Sequence, residues 1–199
     1  MIKVAICGGI GSGKSTICRM FAERGVAHYD SDSRAKALMN ESVELRAALI
    51  AEFGEECYED GILNRAYLAT KVFGSEEQLT KLNSIVHPAV KADFQRWADE
   101  QEGDYCIVET AILFESGFDA LVDQKVAILA PQPLRIMRAM ERDGASKEQI
   151  EARIKAQMGD DELMARCDFA IVNIHLEDVE KDVAELNYRF KMMNNGQTR

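Results

Sequence analysis

Residues 8–15 read Gly8-Gly9-Ile10-Gly11-Ser12-Gly13-Lys14-Ser15, which satisfies G-x-x-x-x-G-K-[ST]. This spacing suits one task, the enclosure of a triphosphate. Glycines let the backbone turn successive N–H groups inward, and the N-terminus of a following helix adds partial positive charge. Lys14 is expected at the β- and γ-phosphates and the Ser15 hydroxyl on Mg²⁺. The apolar run Ile2–Cys7 precedes the loop and a helical pattern, Lys14–Arg24, follows it, so the motif has its strand–loop–helix setting. Gly9, Ile10, Gly11, Ser12, Gly13, Lys14, Ser15 and Thr16 are therefore the expected nucleotide-binding residues. The bland alternative is a glycine-rich turn beside a surface lysine. The motif alone does not separate kinases from switches or ATPases.

Three further groups have types that suit phosphoryl transfer. Asp30-Ser31-Asp32 ends the second apolar run, where ligand sites of doubly wound sheets lie. If that strand neighbours the first, both aspartates stand near the loop. Asp32 is either the base that takes an acceptor hydroxyl proton or, with Ser33, the cap of a helix starting near Arg34. Glu109 closes the third run, where it would either bind Mg²⁺ through water or hold loop N–H groups. Arg135, Arg138 and Arg142 are spaced to share one helical face, and Arg153 follows in the next helix. They form either a lid over the triphosphate or a solvated face paired with Glu141, Asp143 and Glu148.

These groups need a frame, and the rest of the chain describes one. With 199 residues, 47% hydrophobic and 29% charged, the chain suits one α/β domain with an insertion. Five short apolar runs read as strands buried on both faces: Ile2–Cys7, Val26–Tyr29, Tyr105–Val108, Lys125–Leu129 and Phe169–Val172. Helical patterns over Leu134–Glu141, Lys147–Met158 and Leu176–Met192 alternate with them, and Asn194–Arg199 is expected to be loose. The expected fold is a doubly wound five-stranded parallel sheet of the P-loop NTPase type, with a core of 1–34 and 102–199 and a lid at about 135–165. Residues 35–101 read as a helical insertion without a convincing strand, expected to carry the second substrate. A break is expected at His87, because Pro88 follows it.

Net charge is −10, which argues against a general nucleic-acid binder. The apolar stretches are too short for a signal peptide or membrane helix, so a cytoplasmic location is expected. Five cysteines occur without a Cys-x-x-Cys pair, and the three histidines stand apart from them in sequence. They read as buried apolar residues in a reducing compartment, with no zinc pattern.

Several longer segments resemble the dephospho-CoA kinase family. They are Ile6–Ser15 (ICGGIGSGKS), Asp30-Ser31-Asp32, Asp60–Phe73 (DGILNRAYLATKVF), Leu82–Val90 (LNSIVHPAV), Glu109–Glu115 (ETAILFE) and Arg138–Gln157 (RAMERDGASKEQIEARIKAQ). The phosphate loop is shared with many kinases, whereas the DG-x-LNR…VF and LN-x-IVHP segments are far more specific. The resemblance implies a nucleotide core, a helical CoA-binding domain and a lid. It implies transfer of the γ-phosphoryl of ATP to the ribose 3′-hydroxyl of dephospho-CoA, with Mg²⁺ as cofactor. By position it makes Asp32 the base, Lys14 and Ser15 the triphosphate and Mg²⁺ residues, and Arg138 a lid arginine at the phosphates, with Arg142 beside it. Arg65, Asn83 and His87 fall in the acceptor-binding segments, Asn173 falls at the nucleotide, and Glu109 at the metal. Cys7 stands where a hydroxyl residue is common in that family, and Glu109-Thr110-Ala111-Ile112-Leu113 replaces Asp-x-Pro-Leu-Leu. A monomer is expected, an oligomer being left open. A kinase for another small acceptor, a nucleoside monophosphate or shikimate, is the alternative, and a nucleotide-dependent switch a more distant one; no N-K-x-D guanine-reading motif supports the switch.

Overall fold

The fold described here is a computed structural model, and it describes residues 1–196. It divides into two compact units, Met1–Asp30 with Ala98–Arg199, and Ser31–Trp97. The first unit is built on five parallel strands: β1 (Ile2–Cys7), β2 (Ala27–Asp30), β5 (Tyr105–Glu109), β6 (Gln124–Leu129) and β7 (Phe169–Val172). Their order across the sheet is β2-β5-β1-β6-β7. All five expected strands are present; the continuous apolar runs of β1, β5 and β6 are covered on both faces, whereas the edge strand β7 departs from that expectation, with Val172 51% exposed. The condition that β2 neighbour β1 is not met: β2 pairs with β5, and β5 separates it from β1. Asp30 consequently stands opposite Glu109, and Glu109 opposite Ile6 on its other side.

Helix α1 (Lys14–Ala22) and the C-terminal helix α9 (Leu176–Asn194) bring Ile17, Phe21, Val179, Val183, Leu186 and Phe190 onto the sheet residues Val4, Ile6, Ile107, Val126 and Ile171. Phe190 is fully buried and meets the rings of Tyr105 and Phe169 edge-on, at centroid distances of 5.3 and 5.6 Å. Helix α9 carries regular structure through Asn194, further than the expected loose tail allowed, and 197–199 lie outside the described residues. Between β6 and β7 run α6 (Gln132–Asp143), α7 (Lys147–Lys155) and α8 (Asp160–Arg166). Gly144 ends α6 in the left-handed region (φ 64°), and Ser146 opens α7 with a capping box to Gln149. Helix α8 is a separate seven-residue element that the periodicity of 147–158 did not reveal.

The second unit holds α2 (Ser31–Glu41), α3 (Val43–Phe53), α4 (Arg65–Val72) and most of α5 (Glu76–Asp99). It also holds a small hairpin, β3 (Tyr58–Glu59) with β4 (Ile62–Leu63), where no strand was expected. Asp60 and Gly61 both have positive φ, 48° and 82°, the turn that an Asp-Gly pair favours between antiparallel strands. Two-residue strands leave no readable alternation, so only the turn signal was present. Helix α5 also corrects the expected break at His87: it runs without interruption through Pro88. Proline removes one backbone hydrogen bond there. Val86, Val90 and Phe94 are buried at spacings of four, and a continuous helix is needed to bury them together. Helix α2 begins at Ser31, so Asp32 lies in its first turn rather than capping a helix at Arg34. Two hydrogen bonds of 3.0 and 3.1 Å from Arg34 to Asp93 join α2 to α5.

Phe190→Ala removes the ring at the centre of this aromatic contact. We expect it to lower unfolding free energy by about 3–5 kcal/mol, measured by urea denaturation at unchanged m-value.

Candidate active site

The loop between β1 and α1 is shaped from outside. Gly11 (φ 74°) and Gly13 (φ 94°) sit in the left-handed region, and both are hemmed in. A Cβ on Gly11 would lie 2.1 Å from the Arg135 carbonyl oxygen, and one on Gly13 would lie 2.0 Å from Asn173 Nδ2. Backbone freedom and close approach therefore both require glycine at these two positions. Arg135, 4% exposed, donates from Nε to the Ile10 carbonyl at 3.0 Å and from Nη1 to Asp160 Oδ1 at 2.9 Å. Gln157 Oε1 accepts from the Ile10 amide at 2.8 Å, and Asn173 Nδ2 donates to the Ser12 carbonyl at 2.8 Å. The Asn173 carbonyl in turn accepts from Arg138 Nη1 at 3.1 Å.

Gly11, Gly13, Lys14, Ser15, Thr16, Arg19, Arg138 and Arg142 line one open cleft of about 410 Å³. The cleft thus gathers five of the eight expected loop residues with two of the expected arginines; Gly9, Ile10 and the buried Ser12 are not in its lining. Lys14 Nζ donates to the carbonyls of Gly8 at 2.8 Å and Gly9 at 3.4 Å. Arg142 lines the cleft and also grips Asp143 with contacts of 2.7 and 3.2 Å, while Arg153 meets Asp143 at 3.0 Å. Of the paired-face alternative, the Asp143 contacts are present. Arg135 faces the loop instead of the cleft, because its buried charge is neutralised by Asp160 and a carbonyl.

Glu109 is 8% exposed at the end of β5, and its Oε1 accepts from the Ser15 hydroxyl at 2.6 Å. His28 Nε2 lies 3.2 Å from Oε2, within ion-pair range but off the line of a hydrogen bond. Burial pushes the Glu109 carboxyl up, but contacts from His28 and Ser15 and the charge of Lys14 outweigh it, so the group is held below its ordinary value. The hydroxyl and carboxylate oxygens of Ser15 and Glu109 are the hard donors that suit Mg²⁺. Cys18, His28 and Glu109 also place ligand atoms within 4.8 Å of one another, although His28 and Cys18 stand apart in sequence. Thiol and imidazole suit zinc rather than Mg²⁺, so this second set is not the better fit for a kinase metal.

The remaining expected residues lie elsewhere. Asn173 is 7% exposed and occupied with the loop. Asn83 and His87 are half-buried and share a face of α5 through their spacing of four, while Arg65 is exposed in the first turn of α4. Burial, and then the charge of Lys91, pull the His87 imidazole below its ordinary value, so it is neutral at physiological pH. Sequence reasoning missed Gln157, Asp160, Arg19 and His28, and saw Arg135 only as one of a helical row. The contacts of Gln157, Asp160 and His28 cross long chain separations and no local pattern marks them, whereas Arg19 stands one helical turn after Ser15 on α1, a spacing that was readable.

A family model described as CoaE, dephospho-CoA kinase, matches residues 2–178. The chain belongs to the dephospho-CoA kinase family. A dephospho-CoA kinase of Porphyromonas gingivalis is 45% identical over 87% of this chain and 86% of its own length. Among solved structures, a Thermus thermophilus protein superposes with a TM-score of 0.81 at 29% identity, covering 94% of this chain and 96% of that one. A dephospho-CoA kinase from Campylobacter jejuni shares the fold, with a TM-score of 0.68 at 23% identity over 98% of both chains. Membership in the dephospho-CoA kinase family agrees with a cleft lined by loop residues and arginines. Among the described residues, no helix is long and apolar enough to cross a membrane.

Two outcomes are expected. Arg135→Ala leaves the Ile10 carbonyl short of its donor, costing about 1–3 kcal/mol and weakening ATP binding by roughly tenfold or more in calorimetric titration. Because Glu109 has a lowered carboxyl value in the folded state, its contribution is present at neutral pH and is lost as pH falls through that value. The advantage of wild type over Glu109→Gln in urea midpoint should therefore shrink as pH drops below about 4.3.

Proposed function

We propose that this chain transfers the γ-phosphoryl group of ATP to the ribose 3′-hydroxyl of dephospho-CoA, the final step of coenzyme A synthesis. The observation that carries the reading is the convergence of the loop residues with Lys14, Arg138 and Arg142 on one cleft in a chain of this family. Four cations, Lys14, Arg19, Arg138 and Arg142, line that cleft and match the charge of a triphosphate. Lys14 exchanges its contacts with Gly8 and Gly9 for phosphate oxygens, and Arg138 and Arg142 neutralise charge on the transferring group. Ser15 and Glu109 would hold Mg²⁺, which supplies electrostatic stabilisation to the phosphate oxygens.

The acceptor oxygen attacks the γ-phosphorus in line, the bond to the β–γ bridging oxygen breaks, and ADP leaves. Asp32, two residues beyond the end of β2, takes the hydroxyl proton. Its neighbour Asp30 stands beside Glu109 in the sheet, so we assign Asp30 to the metal side and not to the base. Arg65, Asn83 and His87 are read as acceptor contacts within the 35–101 insertion, and α6–α8 as the lid over the nucleotide. The five free cysteines fit a cytoplasmic location.

ADP release should depend strongly on dephospho-CoA, with the new phosphate on the 3′-oxygen by ³¹P NMR. ADP release that ignores dephospho-CoA would sink the reading. Asp32→Asn should leave ATP binding nearly intact and slow turnover roughly 10²–10⁴-fold; near-normal turnover would remove Asp32 from the base role.

A further inference from the structure

Cys7 is the last residue of β1, immediately before the phosphate loop, and Cys167 closes α8. Their sulfurs are 3.5 Å apart across a separation of 160 residues. No other pair of thiols is in hydrogen-bonding contact among the described residues. Cys7 is 1% exposed and packs against the Val126 carbonyl, whereas Cys167 is only half-buried. The two thiols therefore differ in access: a small oxidant reaches Cys167, and Cys7 waits behind it. Their shared hydrogen bond sharpens the difference. It raises the Cys7 thiol, aided by burial, and lowers Cys167, so the more exposed sulfur is the better thiolate.

We propose that Cys7 and Cys167 form a peroxide-sensitive thiol pair that closes to a disulfide joining the entry of the phosphate loop to the end of α8. The Cys167 thiolate attacks one peroxide oxygen and the O–O bond breaks, giving a sulfenic acid and hydroxide, which takes a proton to become water. The Cys7 sulfur then attacks the sulfenic sulfur, the S–S bond forms, and a second water leaves with the Cys7 proton. In sum, two thiols are oxidised by two electrons and one hydrogen peroxide is reduced to two waters.

The bond has consequences because both ends adjoin the loop's supports. Closing it draws the sulfurs from 3.5 Å to about 2.0 Å. One end is covalently next to Gly8. The other terminates the helix whose first residue, Asp160, holds Arg135 against Ile10. Oxidation thus ties the strand before the loop to the helix that braces it, and displaces groups that must be placed to a fraction of an ångström. A loss of turnover of roughly ten- to a hundredfold is expected.

The test uses the full chain, folded, treated with hydrogen peroxide, alkylated and digested with trypsin without reduction. A linked species joining Val4–Lys14 to Cys167–Lys181 is expected, together with reduced turnover that dithiothreitol restores. Cys167→Ser should keep its untreated turnover and resist the peroxide. Absence of the linked peptides in the native protein overturns the proposal. Equal inactivation of Cys167→Ser, or linkage without any change in turnover, overturns the coupling to the loop. Peptide mapping needs no kinase activity, so failure here is distinct from failure of the kinase reading.

Discussion

A phosphate loop with glycine at positions 8, 9, 11 and 13 has few side chains with which to fix its own shape, so its neighbours must do so. The buried guanidinium of Arg135 bears most of this task. It lies between the Ile10 carbonyl and Asp160, and the backbone of the same residue closes the space over Gly11. A buried charge persists only where it is paired and hydrogen-bonded. Arg135 meets both conditions, and in doing so it joins the first loop of the chain to α6 and α8, the first and third α-helices after the insertion. Gln157 and Asn173 complete the brace from α7's end and from β7's end. Helices α6 and α8 and the end of α7 are thereby structural supports of the loop.

Glu109 has a parallel role at the neighbouring strand. Its carboxylate is buried at the carboxyl end of the sheet's second strand, between Ile6 and Asp30 in register. Ser15 and His28 keep it ionised in spite of burial. An ionised carboxylate touching the loop hydroxyl is what a hard cation requires, and the same contact stiffens the start of α1. Position and charge state are thus set by one group of contacts.

Much of the architecture was legible in the chain. The loop motif, all five strands of the sheet and the Gly144–Ser146 junction were written in local patterns: apolar runs of strand length, glycine at a helix end, and serine three residues before glutamine. The misreadings share a cause as well. Pro88 suggested a break in α5, but the buried stripe Val86, Val90 and Phe94 outweighed one lost hydrogen bond. The hairpin at 58–63 was too short to alternate, and α8 too short to show a period. Local propensity is a weak prior wherever burial decides.

The sequence by itself pointed to triphosphate binding through Gly8–Ser15, and the DG-x-LNR…VF and LN-x-IVHP segments pointed to the family. It also determined where strands begin and which helical face bears the arginines. Tertiary structure alone decided which arginine supports the loop and which ones line the cleft, that β5 intervenes between β1 and β2, and that Cys7 meets Cys167. Those outcomes depend on the order of strands and on contacts between residues more than a hundred positions apart. Neither leaves a trace in local periodicity, since the energy that selects them comes from packing and pairing in the assembled fold.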